Sequence, residues 1–538
     1  MYFVVIMAFA FVLSEGLPPE RMNLLRAWPI AGPFAVIAVY LIAVVIAAAV
    51  GRKNTLRHLN GTEDGHETAI DALTDSHQLL LWIIATGLTV LMLLTPWARL
   101  VRDIWQLKAI PILPDLLILA PFFLAVTISW SILYLAELRI KQAAMRLDPD
   151  AKPPAESPTG ELHAGPDATL AAYLLDKFRH QILIVAAPLV IIVFAKYFTT
   201  MYKPQLTRWT HLVWISDSLL GITSAVVLLF SPVILRYVWS TTPLPPGPLR
   251  DRFVRICNRI GLRYQEILLW RTHGLAVNAA VMGFIPQLRY ILVSDALLTT
   301  MTDEEIEAVF GHEAGHVQHW HLQFFGLFAL VAMYAAGGVI TLLAFTDWVT
   351  DPALWNLIAL AVLLACWLFG FGWLSRKFER QADLYGVRCI TPDIKSCPDW
   401  CPVHGTATAP QTSSGTSAVA ELKPHDSGLR TQASSLCISA ASLFGRTLLK
   451  IADLNGIPRY APSWRHGSID SRCKLLEKFT ADPTALARYD RKLWCIKVAL
   501  LLLALIGTAI AGYLYFDDTS QAVQKLIKEY WGPPRRSR

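Results

Sequence analysis

The chain has 538 residues, of which 54% are hydrophobic and only 17% charged, with a mean hydropathy of +0.42. That composition excludes an ordinary soluble globular protein and a disordered one. The formal net charge of +7 invites a nucleic-acid reading, but Lys and Arg cluster beside apolar runs, as they do where basic residues set membrane topology, so no nucleic-acid partner is expected.

In chain order, apolar runs lie at about 30–50, 79–97, 111–136, 181–199, 212–235, 323–346, 355–374 and 497–515. Each is about the 20 residues that a helix needs to cross a bilayer core. A shorter run, Tyr2 to Leu13, lacks the basic flank and small-residue cleavage pattern of a signal peptide and reads as a further span. The expectation is a polytopic, mainly α protein with eight or nine spans, five or six of them in residues 1–240. The polar, proline-rich stretch 147–168 reads as a solvated linker. Asp115 and Asp217 fall near probable span ends and read as interfacial.

The cluster Thr242-Pro243-Leu244-Pro245-Pro246-Gly247-Pro248 cannot continue a helix and marks a boundary. An amphipathic helix is predicted from Arg250 to Ile260, then a strand from Glu266 to Trp270. His273 to Gly283 reads as a small-residue turn region, and Arg289 to Val293 as a short strand rich in β-branched and aromatic residues. Thr302-Asp303-Glu304-Glu305 is a capping box that starts a helix running to about Trp320.

That helix carries His312-Glu313-Ala314-Gly315-His316. Positions i and i+4 share one face, so His312 and His316 can hold one ion while Glu313 reaches a water beside it. A catalytic zinc takes three protein ligands and leaves one position open. Glu379 and Asp383, also i and i+4, supply a third ligand and a carboxylate behind a ligand. His316 lies seven residues before the 323 run and Glu379 five after the end at 374, so both stand within about 10 Å of the membrane surface, on the same side of a returning hairpin. The hairpin tip carries Asp347 and Asp351 but no Lys or Arg, whereas Arg250, Arg252, Arg255, Arg259 and Arg263, and Arg376, Lys377 and Arg380, lie on the other side. The site is therefore expected to face the cytoplasm. Arg535, Arg536 and Arg538 in the tail run against that count.

His319 and His321 read as bystanders, since the ligand set is already complete. The eight cysteines fall mostly in stretches placed in the cytoplasm, so disulfides are not expected. Cys397-x3-Cys401 with His404 nearby has loose metal-ligand spacing, and an ordinary loop is the preferred reading. Residues 390–434 read as a low-complexity insertion ahead of an apolar helix at 435–453.

Val309-Phe310-Gly311-His312-Glu313-Ala314-Gly315-His316, the hairpin, and Ser375-Arg376-x-x-Glu379-x-x-Ala382-Asp383 together resemble the integral-membrane zinc metallopeptidases that include HtpX and the CAAX prenyl endoprotease. Asn278-Ala279-x-x-x-Gly283 followed by Tyr290 to Leu298 resembles that family's substrate segment and edge strand. His466-x5-Arg472 resembles its distal His-Pro-x-x-x-x-Arg segment, with Gly467 in place of the proline. The resemblance covers about 245–480. It implies a gluzincin fold with a small β-sheet, and one Zn2+ per chain held by His312, His316 and Glu379. Glu313 would be the base and Asp383 would support a ligand. Asn278 would hold a substrate strand paired at 289–293, and His466 or Arg472 would stabilise the oxyanion.

The expected divisions are an N-terminal bundle (1–240), a zinc metalloprotease domain (241–495) interrupted by the hairpin 323–374 and the insertion, a C-terminal span (496–516) and a tail (517–538). The functional expectation is an endopeptidase in the cell (inner) membrane acting on misfolded or membrane-associated proteins. Two alternatives stand beside it: a specific processor of lipidated or regulatory proteins, and a transporter or sensor whose metal is structural.

Overall fold

The computed structural model describes residues 28–60, 65–107, 113–147, 169–210, 215–272, 276–344, 352–391 and 435–530, together with Ile394, Cys397, Cys401 and Val403. The candidate span Tyr2–Leu13, the linker 148–168, the hairpin tip, His404 and the tail arginines lie outside them.

Long helices dominate. In the N-terminal part these are α1 (Ala31–Leu59), α2 (Gly65–Leu94), α3 (Leu113–Leu147), α4 (Leu170–Phe178), α5 (Ile184–Met201) and α6 (Ile215–Val238). Among the described residues seven helices are long and apolar enough to cross a membrane, or eight if the bent pair 170–183 and 186–201 is one span. The chain is thus a multi-pass membrane protein. Several helices outrun their apolar cores: the run at 79–97 belongs to a helix that begins at Gly65, because polar residues extend it beyond the bilayer-length stretch. The bundle also contains a cluster of ionisable side chains that the apolar runs conceal. Glu137, buried in α3, lies 2.8 Å from Lys177 Nζ and 3.2 Å from His77 Nε2, and accepts a hydrogen bond from the Tyr173 hydroxyl. Asp115 sits in the first turn of α3, paired with Arg102 at 3.0 Å, an end position as expected.

Past the proline cluster the chain forms β1 (Thr241–Pro243), α7 (Pro248–Ile260), β2 (Glu266–Trp270), β3 (Ala279–Met282) and β4 (Tyr290–Ser294). The sheet order is β1-β2-β4-β3, with β2 and β4 parallel and the outer pairs antiparallel. This corrects two expectations. The stretch read as turn contains a strand, and the strand at 289–293 is interior rather than the edge. Tyr290 to Ser294 are all buried, as a central strand requires, while β3 is short and small-residued and takes the rim. Asn278 O accepts from Ser294 N, so the alternate residues Ala279 and Val281 turn their backbone groups toward the open edge.

The helix α8 (Asp303–Gln318) crosses beside β3. Its capping box is complete: Thr302 N–H donates to Glu305 and Glu305 N–H to Thr302 Oγ1. Ile306, Phe310 and Ala314, four apart, bury one face against the sheet and α7, where Phe310 meets Phe253 edge-on at 5.3 Å. The helix stops at Gln318, earlier than the sequence pattern suggests. Trp320 has φ +60°, and this break separates α8 from the span α9 (His321–Ala344). The chain returns through α10 (Pro352–Ala365) and α11 (Gly372–Ile390), and closes with α12 (Ile438–Leu454), α13 (Ile469–Ala481) and α14 (Pro483–Tyr530).

Candidate metal centre

The helices α8 and α11 pack closely, and small residues make it possible. A Cβ on Gly315 would stand 2.9 Å from Tyr385 Cβ and 3.0 Å from Ala382 Cα; one on Gly311 would be 2.9 Å from Cys389 Cβ. With no side chains between them, the two backbones nearly touch, and the next residues along α8 converge on Glu379.

His312 Nε2 and His316 Nε2 are 3.3 Å apart, Glu379 Oε2 is 3.5 Å from the first, and Glu379 Oε1 is 3.7 Å from the second. A tetrahedral ion with bonds of about 2.0–2.1 Å separates its ligand atoms by about 3.3 Å. The three donors therefore fit one zinc ion, and nitrogen and carboxylate oxygen are the atom types that zinc takes.

Partners behind the ligands fix which atoms face the site. Lys497 on α14 donates to Gln381 Oε1 at 3.0 Å, so that oxygen can only accept from His321 Nε2, also 3.0 Å away. His321 Nδ1 is then an acceptor for His316 Nδ1–H at 2.9 Å, which leaves the His316 Nε2 lone pair facing the site. His321 is only 1% exposed and lies flat on Phe378, with ring centroids 4.3 Å apart. It is no bystander. Its role is invisible in the sequence because the break at Trp320 is what turns it back toward His316.

On the other ligand, Asp383 Oδ1 is 2.9 Å from His312 Nδ1, an ion-pair distance slightly off the line of a good hydrogen bond. Asp383 in turn receives both arms of Arg472, Nε to Oδ2 at 2.8 Å and Nη2 to Oδ1 at 2.5 Å. Arg472 is 6% exposed. It was expected at the substrate; it sits instead beneath the ligands, because its guanidinium is consumed neutralising a buried carboxylate. Arg472→Ala should therefore strand Asp383 and destabilise the domain by about 3–5 kcal/mol. A change under 1 kcal/mol in detergent-solubilised unfolding would contradict this placement.

His466 lies on the opposite rim, its Nδ1 2.9 Å from Glu379 Oε2, with nearly half its side chain exposed. The Ser463–Gly467 bridge closes the turn that presents it, and Gly467 has φ +76°. Proline, fixed near −65°, cannot adopt that angle, so the departure at this position is a change of turn rather than a chance difference. Trp464 anchors the turn on the membrane hairpin through Leu368 O and Arg376. Asn278 is exposed at the head of the edge strand. Glu313 is half-buried and accepts a hydrogen bond from Val281 N–H of that same strand; desolvation raises its pKa.

The protons are unevenly divided. Burial alone would lower the pKa of His312, but its contacts with Asp383 and Glu379 outweigh that and hold it at about 10, whereas burial pushes His316 down to about 3. At neutral pH a metal ion must displace one proton, from His312. Apparent zinc affinity should rise about tenfold per pH unit between about pH 6 and 8, as a competing chromophoric chelator would report. A flat profile would contradict the assignment.

Residues 249–396 match the family described as Peptidase family M48. That match covers the α7 to α11 part of the domain, including both histidines and Glu379. Among curated relatives, CAAX prenyl protease 1 homolog of Arabidopsis thaliana is 28% identical over 181 residues, 31% of this chain and 43% of the relative. Protease HtpX of Xylella fastidiosa (strain 9a5c) is 30% identical over 150 residues, 26% of this chain and 51% of the relative. The aligned region spans about half the length of these relatives. The crystal structure of S. mikatae Ste24p covers 82% of this chain and 98% of that one at 15% identity, with a TM-score of 0.48. The M48 segment ends at 396, so Arg472 and His466 lie beyond it.

Proposed function

We propose that the chain is a membrane-embedded, zinc-dependent endopeptidase whose centre is His312, His316 and Glu379. The observation that carries this reading is the donor set: three ligand atoms at tetrahedral-edge separations, beside the Glu313 carboxylate and the outer edge of β3. Bound there, zinc would supply Lewis-acid activation of a water molecule and of the scissile carbonyl.

The remaining chemistry belongs to the chain. Glu313 takes a proton from the attacking water and passes it to the leaving nitrogen, a task suited to a carboxylate whose burial raises its pKa. The outer edge of β3, through Ala279 and the Val281 carbonyl, pairs with an extended substrate backbone, which reads main chain more than side chain and permits broad specificity. Asn278 holds that strand at its start. His466, the exposed cation-capable group on the far rim, meets the developing negative charge of the carbonyl oxygen. Asp383 and His321 keep the two histidines in the tautomers that ligation needs.

The substrates we propose are misfolded or membrane-associated proteins, cleaved at the cytoplasmic face of the cell membrane. A second reading, a processor of lipidated C-terminal peptides, is favoured by the similarity to a CAAX prenyl protease 1 homolog. Purified chain should cleave casein, lose that activity to a chelator and regain it with zinc. Full activity under chelation would overturn the proposal. Cleavage of a farnesylated peptide in preference to an unfolded membrane protein would select the second reading.

A further inference from the structure

Three sulfurs converge away from the metal centre. Cys397 and Cys401, at the start of the insertion, meet Cys437 at its end, and the three Sγ atoms lie within 4.8 Å of one another. All three residues are buried, with Cys401 and Cys437 at 0% exposure. Cys397 Sγ and Cys437 Sγ are 3.5 Å apart and no disulfide joins any of the three. Zinc–sulfur bonds of about 2.3 Å set tetrahedral sulfur separations of about 3.8 Å, close to what is seen here.

The surroundings suit a structural ion. Cys437 caps α12, where its sulfur accepts the Ala440 N–H at 3.5 Å, and amides at a helix N-terminus favour a thiolate. The cluster is packed in the core formed by Val387 and Ile390 of α11 and Phe444 of α12. Phe444 also lies against Gly386 and, at 6.3 Å between rings, His312.

We propose that Cys397, Cys401 and Cys437 bind a second, structural zinc ion that clamps the two ends of the insertion together beside the helices of the metal centre. This replaces the reading of Cys397-x3-Cys401 as an ordinary loop and raises the expected metal content above one per chain. The third cysteine is 36 residues beyond the second in sequence, which is why spacing alone does not reveal the set.

The test is metal stoichiometry of the full chain, purified in detergent and washed with a weak chelator. Wild type should hold about two equivalents of zinc, and Cys437→Ser, Cys397→Ser and His316→Ala about one each. Cobalt(II) substitution gives a readout that needs no cysteine variant: a thiolate-to-cobalt charge-transfer band should be present in wild type and persist in His316→Ala. A single equivalent in wild type with none in His316→Ala would overturn the proposal. So would a Cys397–Cys437 disulfide in the intact mass, or iron with acid-labile sulfide in place of zinc. Because the His316 arm reports the other site separately, failure here is distinguishable from failure of the peptidase reading.

Discussion

Glu313→Gln should lower peptide hydrolysis by about 10²–10⁴-fold or more while leaving the zinc content of the chain unchanged. The amide keeps the shape and can still meet Val281, but it cannot take a proton. None of the three ligand separations involves Glu313, so metal binding should not respond. Zinc analysis alongside casein hydrolysis separates the two effects. Retained activity would remove Glu313 from the chemistry, and lost zinc would show that it holds the ion.

Gly315→Leu should be nearly as damaging, for a mechanical reason. Even a Cβ at this position would press on Ala382 and Tyr385, and a full side chain must part α8 from α11. Glu379 rides on α11, so separation pulls it away from both histidines. The expected result is loss of zinc and of activity, with overpacking costing about 1–3 kcal/mol of stability. Gly326→Leu on α9, where a Cβ meets nothing within 4 Å, is the matched control and should keep its zinc. If Gly315→Leu retains full zinc content, close helix approach is not what assembles the centre.

How much of this was legible in the sequence divides along physical lines. Features set by local periodicity were readable: the capping box at Thr302, the strand at 266–270, the i and i+4 pairs on α8 and α11, and the membrane hairpin that returns Glu379 to the histidines. Features set by long-range contact were not. The strand at 279–282 is too short and small-residued to show a period of two, so the edge of the sheet was placed one strand inward. Arg472 reads as a cation at the substrate until Asp383, 89 residues earlier, is seen to occupy it. His321 needs the break at Trp320, a positive φ that no residue preference announces. The convergence of Cys437 on Cys397 and Cys401 is likewise tertiary.

The most direct test of the central claim is to strip the chain of metal and titrate zinc back while following casein hydrolysis. Activity should be absent without metal, return with zinc, and fail to return in His316→Ala or Glu379→Gln at zinc concentrations that saturate wild type. Full hydrolysis by the metal-free chain, or by either variant, would contradict a catalytic zinc held by His312, His316 and Glu379.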